Sequence, residues 1–227
     1  MDDPSVRRVG TIAAYGVALA YLLTGVTAVL MPPELQGRPD ITPHEFWTVL
    51  SQHPIAHLSF HWAWVAAGVF GVAAVPAISL LVWPIHRGAV MWSGLGSWVG
   101  FVVMARSHLM ELAWDRKIIP VYQTADPAFQ DAVHVVAGLA LDVPDGVLTY
   151  GAVGAWVAVV STLALRREDL PRWFSYLGFL TAAALLAGVV GYGFLVHFLI
   201  VVSVGVGGFL LVPAWFVWAG LLLKRSC

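Results

Sequence analysis

The chemistry in this sequence is concentrated in residues 104–115, near the end of a long apolar run. At 100° per residue, Met104, His108, Glu111 and Asp115 fall on one stripe of a helix, and Arg106 sits beside them in the sequence. A cation, an imidazole and two carboxylates are costly inside a membrane segment unless each has a partner. The stretch therefore predicts a functional site, although it does not name a reaction.

A second group of candidate ligands precedes this stretch. His57 and His61 are one helical turn apart and share a face with Trp64, Gly68 and Gly71. Imidazole and carboxylate are ligands of borderline divalent metals, and pairs at i,i+3 or i,i+4 let one helix present two ligands to one ion. A single pair such as His57 and His61 fits hydrogen-bonded histidines at a wet helix end better than it fits a metal site. Because several pairs reach one membrane depth, we predict a transition-metal site.

The predicted site holds zinc, copper or iron. Its predicted ligands are His57, His61, His108, Glu111 and His134, and its predicted charge partners are Arg106, Asp115, Asp142 and Asp145. Arg106 is expected to be buried near the interface and to pair with Asp142, Asp145 or Glu111; contact with an anion or substrate is the alternative. Metal affinity should fall below about pH 6.5, where free histidine protonates.

The composition is that of an integral membrane protein. Of the 227 residues 59% are hydrophobic and 11% charged, and the mean hydropathy is +0.82. Runs long enough to cross a bilayer lie near residues 9–31, 58–83, 89–112, 147–166, 173–192 and 204–223. Lipid leaves unpaired backbone groups without partners, so each run should be helical. We predict one all-α domain over residues 1–227, a bundle of six transmembrane helices.

The basic residues predict the orientation of the bundle. With the N-terminus inside, eight of them are cytoplasmic, namely Arg7, Arg8, Arg87, Arg166, Arg167, Arg172, Lys224 and Arg225. Only Arg38, Arg106, Arg116 and Lys117 fall at the outer side. By the positive-inside rule both termini are then cytoplasmic, in the inner (plasma) membrane, and the histidine- and acid-rich cluster faces outward.

Two outer loops are predicted to contain amphipathic interfacial helices. One includes residues 46–50, ahead of a helix start at His53 and Pro54, since proline suits the first turn. The other follows from length, because about 40 helical residues from 126 to 167 would span roughly 60 Å, twice a hydrocarbon core. A break at residues 142–146, where Asp142 could cap a new helix, separates a helix over residues 127–141 that carries His134.

Several classes of protein lack support in the sequence. Cys227 is the only cysteine, which excludes a disulfide framework and thiolate metal sites. The only lysines, Lys117 and Lys224, lie at span ends, where neither could hold retinal. Serine-hydrolase, zincin and phosphate-loop motifs are absent, as are basic patches, so neither nucleotide nor nucleic acid is a predicted partner.

Three short motifs resemble a widespread bacterial family of uncharacterised six-span membrane proteins. They are Arg-Arg-x-Gly at residues 7–10, W-x-x-L-x-x-H-P at residues 47–54, and Leu-Pro-Arg-Trp at residues 170–173 followed by Leu177-Gly178. The resemblance covers most of the chain in its layout. It implies a bacterial six-span protein and no activity, cofactor or site.

Three functions fit these observations. The first is a membrane protein whose outward His/carboxylate cluster binds a metal and catalyses oxidation or hydrolysis of a lipid or small molecule. The second is a subunit of a larger membrane complex in which histidine ligates haem or a chlorin. The third is a small-solute or ion transporter, since a helix break at Pro144 near acidic residues is typical of discontinuous transport helices.

Overall fold

The computed structural model describes residues 4–35, 41–141, 145–194 and 196–225, with side chains undescribed at residues 43, 134, 136–141, 145 and 146. All regular structure in the described ranges is helical, which confirms the predicted all-α class. The helices are α1 (Pro4–Leu30), α2 (Pro43–Gln52), α3 (Pro54–Leu80), α4 (Arg87–Tyr122), α5 (Pro127–Leu141), α6 (Asp145–Ala164), α7 (Arg172–Phe194), α8 (His197–Val202) and α9 (Val212–Arg225). A 3-10 turn covers Pro33–Leu35, and a π-helical segment, Ser203–Leu211, joins α8 to α9.

Six helical segments are long and apolar enough to cross a bilayer. They are α1, α3, α4, α6, α7 and the continuous helix His197–Arg225. This confirms the predicted six-span bundle, and the chain is a multi-pass membrane protein. The membrane in which it resides and the side on which its termini lie stay predictions.

Helix α4 is longer than the sequence predicts. The apolar pattern ends near residue 112, whereas the helix continues to Tyr122 and includes Pro120. Its 36 residues extend about 54 Å, well beyond the roughly 30 Å hydrocarbon core. The additional turns carry Ile118 and Tyr122 into a second apolar cluster with Met31, Leu35, Trp47, Leu50 and Val133.

Small residues let α3 and α4 approach closely. A Cβ added at Gly68 would lie 2.7 Å from the Cβ of Ala105, and one added at Gly71 would lie 2.3 Å from the ring of Phe101. Helix pairs in membranes use glycine in this way to bring their backbones together. The contact aligns the histidine face of α3 with the end of α4 that carries residues 104–115.

Both termini lie at one end of the bundle. A Cβ at Gly10, near the start of α1, would lie 2.1 Å from the Cβ of Ala77 and 3.3 Å from Cδ1 of Leu223. Those contacts place the start of α1, the end of α3 and the end of α9 together. Because α3 and α4 are antiparallel neighbours, His57 and His108 lie toward the opposite end.

Helix α2 begins with a capping box at Thr42 and Glu45. The Glu45 amide donates to Thr42 Oγ1 at 3.2 Å, and the Thr42 amide donates to Glu45 Oε2 at 2.8 Å. The predicted short helix in this loop is therefore present. Its apolar residues Trp47 and Leu50 are buried against the end of α4. Helix α5 occupies the predicted residues 127–141, whereas the predicted Asp142 cap lies outside the described residues.

Candidate metal centre

The histidine face of α3 turns toward α4. The helix begins at Pro54, as the position of proline predicts, so His57 and His61 lie in its first two turns. Both residues are buried, with 8% and 4% of their surface exposed. Their rings pack against each other with centroids 4.3 Å apart.

Three ligand atoms from two helices converge beside this face. His61 Nδ1 lies 2.6 Å from Glu111 Oε2 and 2.8 Å from His108 Nδ1. The third distance, from His108 Nδ1 to Glu111 Oε2, is 3.7 Å. His108 and Glu111 are one turn apart on α4, so a single contact between α3 and α4 assembles the group. We call His61, His108 and Glu111 the central triad.

A second group lies against the central triad. His57 Nε2 is 3.2 Å from Asp115 Oδ2, and both side chains are nearly fully buried. The alignment is not that of a hydrogen bond, and both His57 Nδ1 and Asp115 Oδ2 lack a hydrogen-bond partner. Buried polar atoms normally have partners. With His61, these residues also offer three ligand atoms within 4.8 Å of one another.

Aromatic rings hold the imidazoles in place. Trp64 stacks on His108, with centroids 5.5 Å apart and planes 9° apart. Phe46 meets His57 and Phe60 meets His61 edge to face. The sequence placed Trp64 on the histidine face, but nothing in it identified the two phenylalanines as neighbours of the site.

The expectation of an outward-facing cluster is corrected, because His57, His61 and Asp115 are buried, while the side chains of His108 and Glu111 are 21% and 23% exposed. Only 3% of Asp115 is exposed, and α2 and the 3-10 turn cover this end of the bundle. His61 is seven residues from the start of α3, which at 1.5 Å per residue is about 10 Å along the helix axis from that end. The cluster also lines a cavity of about 740 Å³ between α1, α3, α4 and the π-helical segment.

The predicted burial of Arg106 is not found, and its pairing with Asp142 or Asp145 stays a prediction because those side chains are not described. Its side chain is exposed, and among the described side chains no carboxylate lies within ion-pair distance of it. Glu111, one predicted partner, contacts His61 instead. Arg106 is two residues from both Met104 and His108, so it projects from the side of α4 opposite the buried stripe.

The remaining predicted residues fall outside the described side chains. The backbone of His134 belongs to α5 and that of Asp145 begins α6, whereas Asp142 is not described at all. Asp115, predicted as a charge partner, offers a ligand atom itself. His86, at the other end of the bundle, caps α4 by accepting a hydrogen bond from the Ala89 amide at 3.1 Å.

Comparison of the chain with protein-family models, curated protein sequences and solved structures gives no match. The resemblance to uncharacterised six-span bacterial proteins therefore stays a prediction.

Proposed function

We propose that this protein is a membrane enzyme whose catalytic centre is a transition metal bound by the central triad. The observation that carries the proposal is the convergence of two imidazole nitrogens and one carboxylate oxygen, at separations of 2.6, 2.8 and 3.7 Å. The ligand type and the burial both fit a zinc, copper or iron ion.

The separations are close to those of a coordination sphere. Bonds of 2.0–2.1 Å in a tetrahedral site place ligand atoms about 3.3 Å apart. The distances from His61 Nδ1 to Glu111 Oε2 and to His108 Nδ1 need to increase by some tenths of an ångström. The distance from His108 Nδ1 to Glu111 Oε2 needs to decrease by a similar amount. Small rotations of the side chains of His61 and His108 would supply these changes.

Proton placement also favours an ion. A neutral imidazole carries one N–H, and His61 Nδ1 faces both an oxygen and a second Nδ1. If His61 Nδ1 carries the proton and donates it to Glu111, the same nitrogen has no lone pair with which to accept a hydrogen bond from His108 Nδ1. An ion satisfies all three atoms at once, because each then contributes a lone pair and each ring keeps its proton on Nε2.

Three protein ligands indicate a catalytic rather than a structural metal. Structural zinc sites are closed by four protein ligands, whereas catalytic sites keep a position open for water or substrate. Two histidines with one carboxylate serve hydrolytic zinc and oxygen-activating iron alike. His57 and Asp115 lie beside the central triad, close enough to accept or return a proton at such a centre.

The other two functions gain less from this geometry. A haem or chlorin clamped by two histidines would lie between their ligating nitrogens, and the close Nδ1 atoms of His61 and His108 leave no room for a macrocycle between them. His61 and His108 have their Nδ1 atoms 2.8 Å apart. The helix break on which transport depends lies at residues 142–144, outside the described residues.

Metal analysis of the purified protein tests the proposal. Protein prepared without chelators should contain zinc, copper or iron near one ion per chain, and His108→Ala and Glu111→Gln should each remove it. His197→Ala is the matched control, since His197 is exposed at the start of α8. Protein that carries none of these metals and shows no thermal shift with any of them would overturn the proposal.

A further inference from the structure

The cavity beside the central triad has polar groups at one end only. Its volume is about 740 Å³, within the range of small-molecule sites. His57, His61, Glu111 and Asp115 form the polar end, and the other lining residues are aliphatic or aromatic. A ligand of matching shape has one small polar head and a long apolar body.

The charge at the polar end selects an uncharged head. Two carboxylates line it, and the described lining includes neither lysine nor arginine. In a poorly solvated site these carboxylates repel a fatty acid or phosphate. A divalent ion would be neutralised by the same two carboxylates, which leaves no excess positive charge to attract an anion. An uncharged hydroxyl, aldehyde or ester oxygen is not repelled by the carboxylates and does not need an excess positive charge in order to bind.

The apolar end is bordered by lipid-facing residues. Val29 of α1 lines the cavity while 80% of its surface is exposed, and Val204 of the π-helical segment lines it while partly exposed. Their neighbours Val26 and Val206 are 54% and 45% exposed. A molecule dissolved in the bilayer can therefore reach the cavity between α1 and the π-helical segment without crossing water.

The floor of the cavity is shaped by Phe209. A Cβ at Gly25 would lie 2.9 Å from Cγ of Phe209, so the absent side chain on α1 makes room for this ring. Short π-helical segments are frequent at functional sites. Here the π-helical segment supplies both Val204 and Phe209 to the wall.

We propose that the cavity binds a neutral single-chain lipid, an alcohol, aldehyde or ester, with its oxygen at the His/carboxylate cluster and its chain between α1 and the π-helical segment. That this lipid is the substrate rests on the proposed metal centre. The binding of the lipid does not depend on the metal centre, because the apolar walls and the lateral opening exist without an ion.

Photolabelling tests the binding. The probe is a long-chain fatty alcohol with a diazirine near the end of its chain, and the comparison probe is the fatty acid of the same chain. In lipid nanodiscs the alcohol should label the segments around Val29 and Val204. Val204→Trp should lower that labelling by about tenfold or more, because the indole fills the cavity. Val206→Trp, a lipid-facing change on the same segment, should not.

A second filling variant keeps the test decisive if Val204→Trp misfolds. Val29→Trp alters a residue that is mostly exposed, so the fold should persist and the labelling should fall. Equal labelling by the fatty acid, or full labelling in both filling variants, overturns the proposal. Metal is measured in the same samples. If a filling variant loses the label but keeps the metal, the lipid site is supported. If the wild type is labelled normally but contains no metal, the proposed metal centre is refuted and the lipid site is not.

Discussion

Replacing His57 by leucine should destabilise the metal-free protein by about 1–3 kcal/mol, the usual cost of leaving a buried polar group without a polar neighbour. Asp115 would keep its carboxylate at a position where 3% of the residue is exposed and where Oδ2 has no hydrogen-bond partner.

A double-mutant cycle isolates this interaction. Asp115→Leu in the His57→Leu background should recover most of the lost stability, because two apolar side chains of similar volume replace the pair. The coupling should then be about 1 kcal/mol or more. The assay is reversible unfolding in mixed detergent micelles, with the free energy of unfolding measured for the wild type, both single variants and the double variant.

The exposed pair of Arg167 and Asp169 is the matched control. The hydrogen bond from Arg167 lowers the pKa of Asp169, but 61% of the Asp169 side chain is exposed and water screens the charges. Asp169→Asn should therefore cost less than about 1 kcal/mol. A coupling energy between His57 and Asp115 within about 0.5 kcal/mol of zero, as for independent sites, would refute a stabilising contact between them.

Three further results are expected. Thr42→Ala should cost about 1 kcal/mol at the start of α2, seen as faster amide hydrogen exchange in that helix; unchanged exchange would contradict the cap. Gly178→Ala should cost about 1–3 kcal/mol in unfolding experiments, because its Cβ would clash with Oγ of Ser161, whereas Gly96→Ala meets nothing within 4 Å and should be tolerated. A reporter fused at the C-terminus should be cytoplasmic and one near Asp126 external, and a periplasmic C-terminal reporter would reject the orientation.

Helical periodicity was sufficient to predict the two halves of the site. The i,i+4 spacing puts His57 and His61 on one face of α3, and the i,i+3 spacing does the same for His108 and Glu111 on α4. That the two faces meet could not be read from spacing. The meeting depends on the close approach at Gly68, a contact between residues far apart in the chain.

The packing of α2 over the site was not predictable from the sequence either. An apolar face on α2 can turn to lipid or to protein, since both are apolar environments, and the pattern around Trp47 is the same in either case. Packing against the long end of α4 decides between them. The exposure of Arg106 was not predicted either. A charge in an apolar run was taken to be buried, whereas it projects from the far side of the helix.

X-ray absorption at the edge of the bound metal tests the metal centre most directly. The proposal predicts nitrogen and oxygen ligands at about 2.0–2.2 Å, with the multiple-scattering pattern of two imidazoles. His108→Ala and Glu111→Gln lose the metal as isolated, so both are reloaded with excess ion; His108→Ala should then show one imidazole at most, and Glu111→Gln should show both. A metal shell without imidazole scattering, or one unchanged by His108→Ala, would contradict binding by His61, His108 and Glu111.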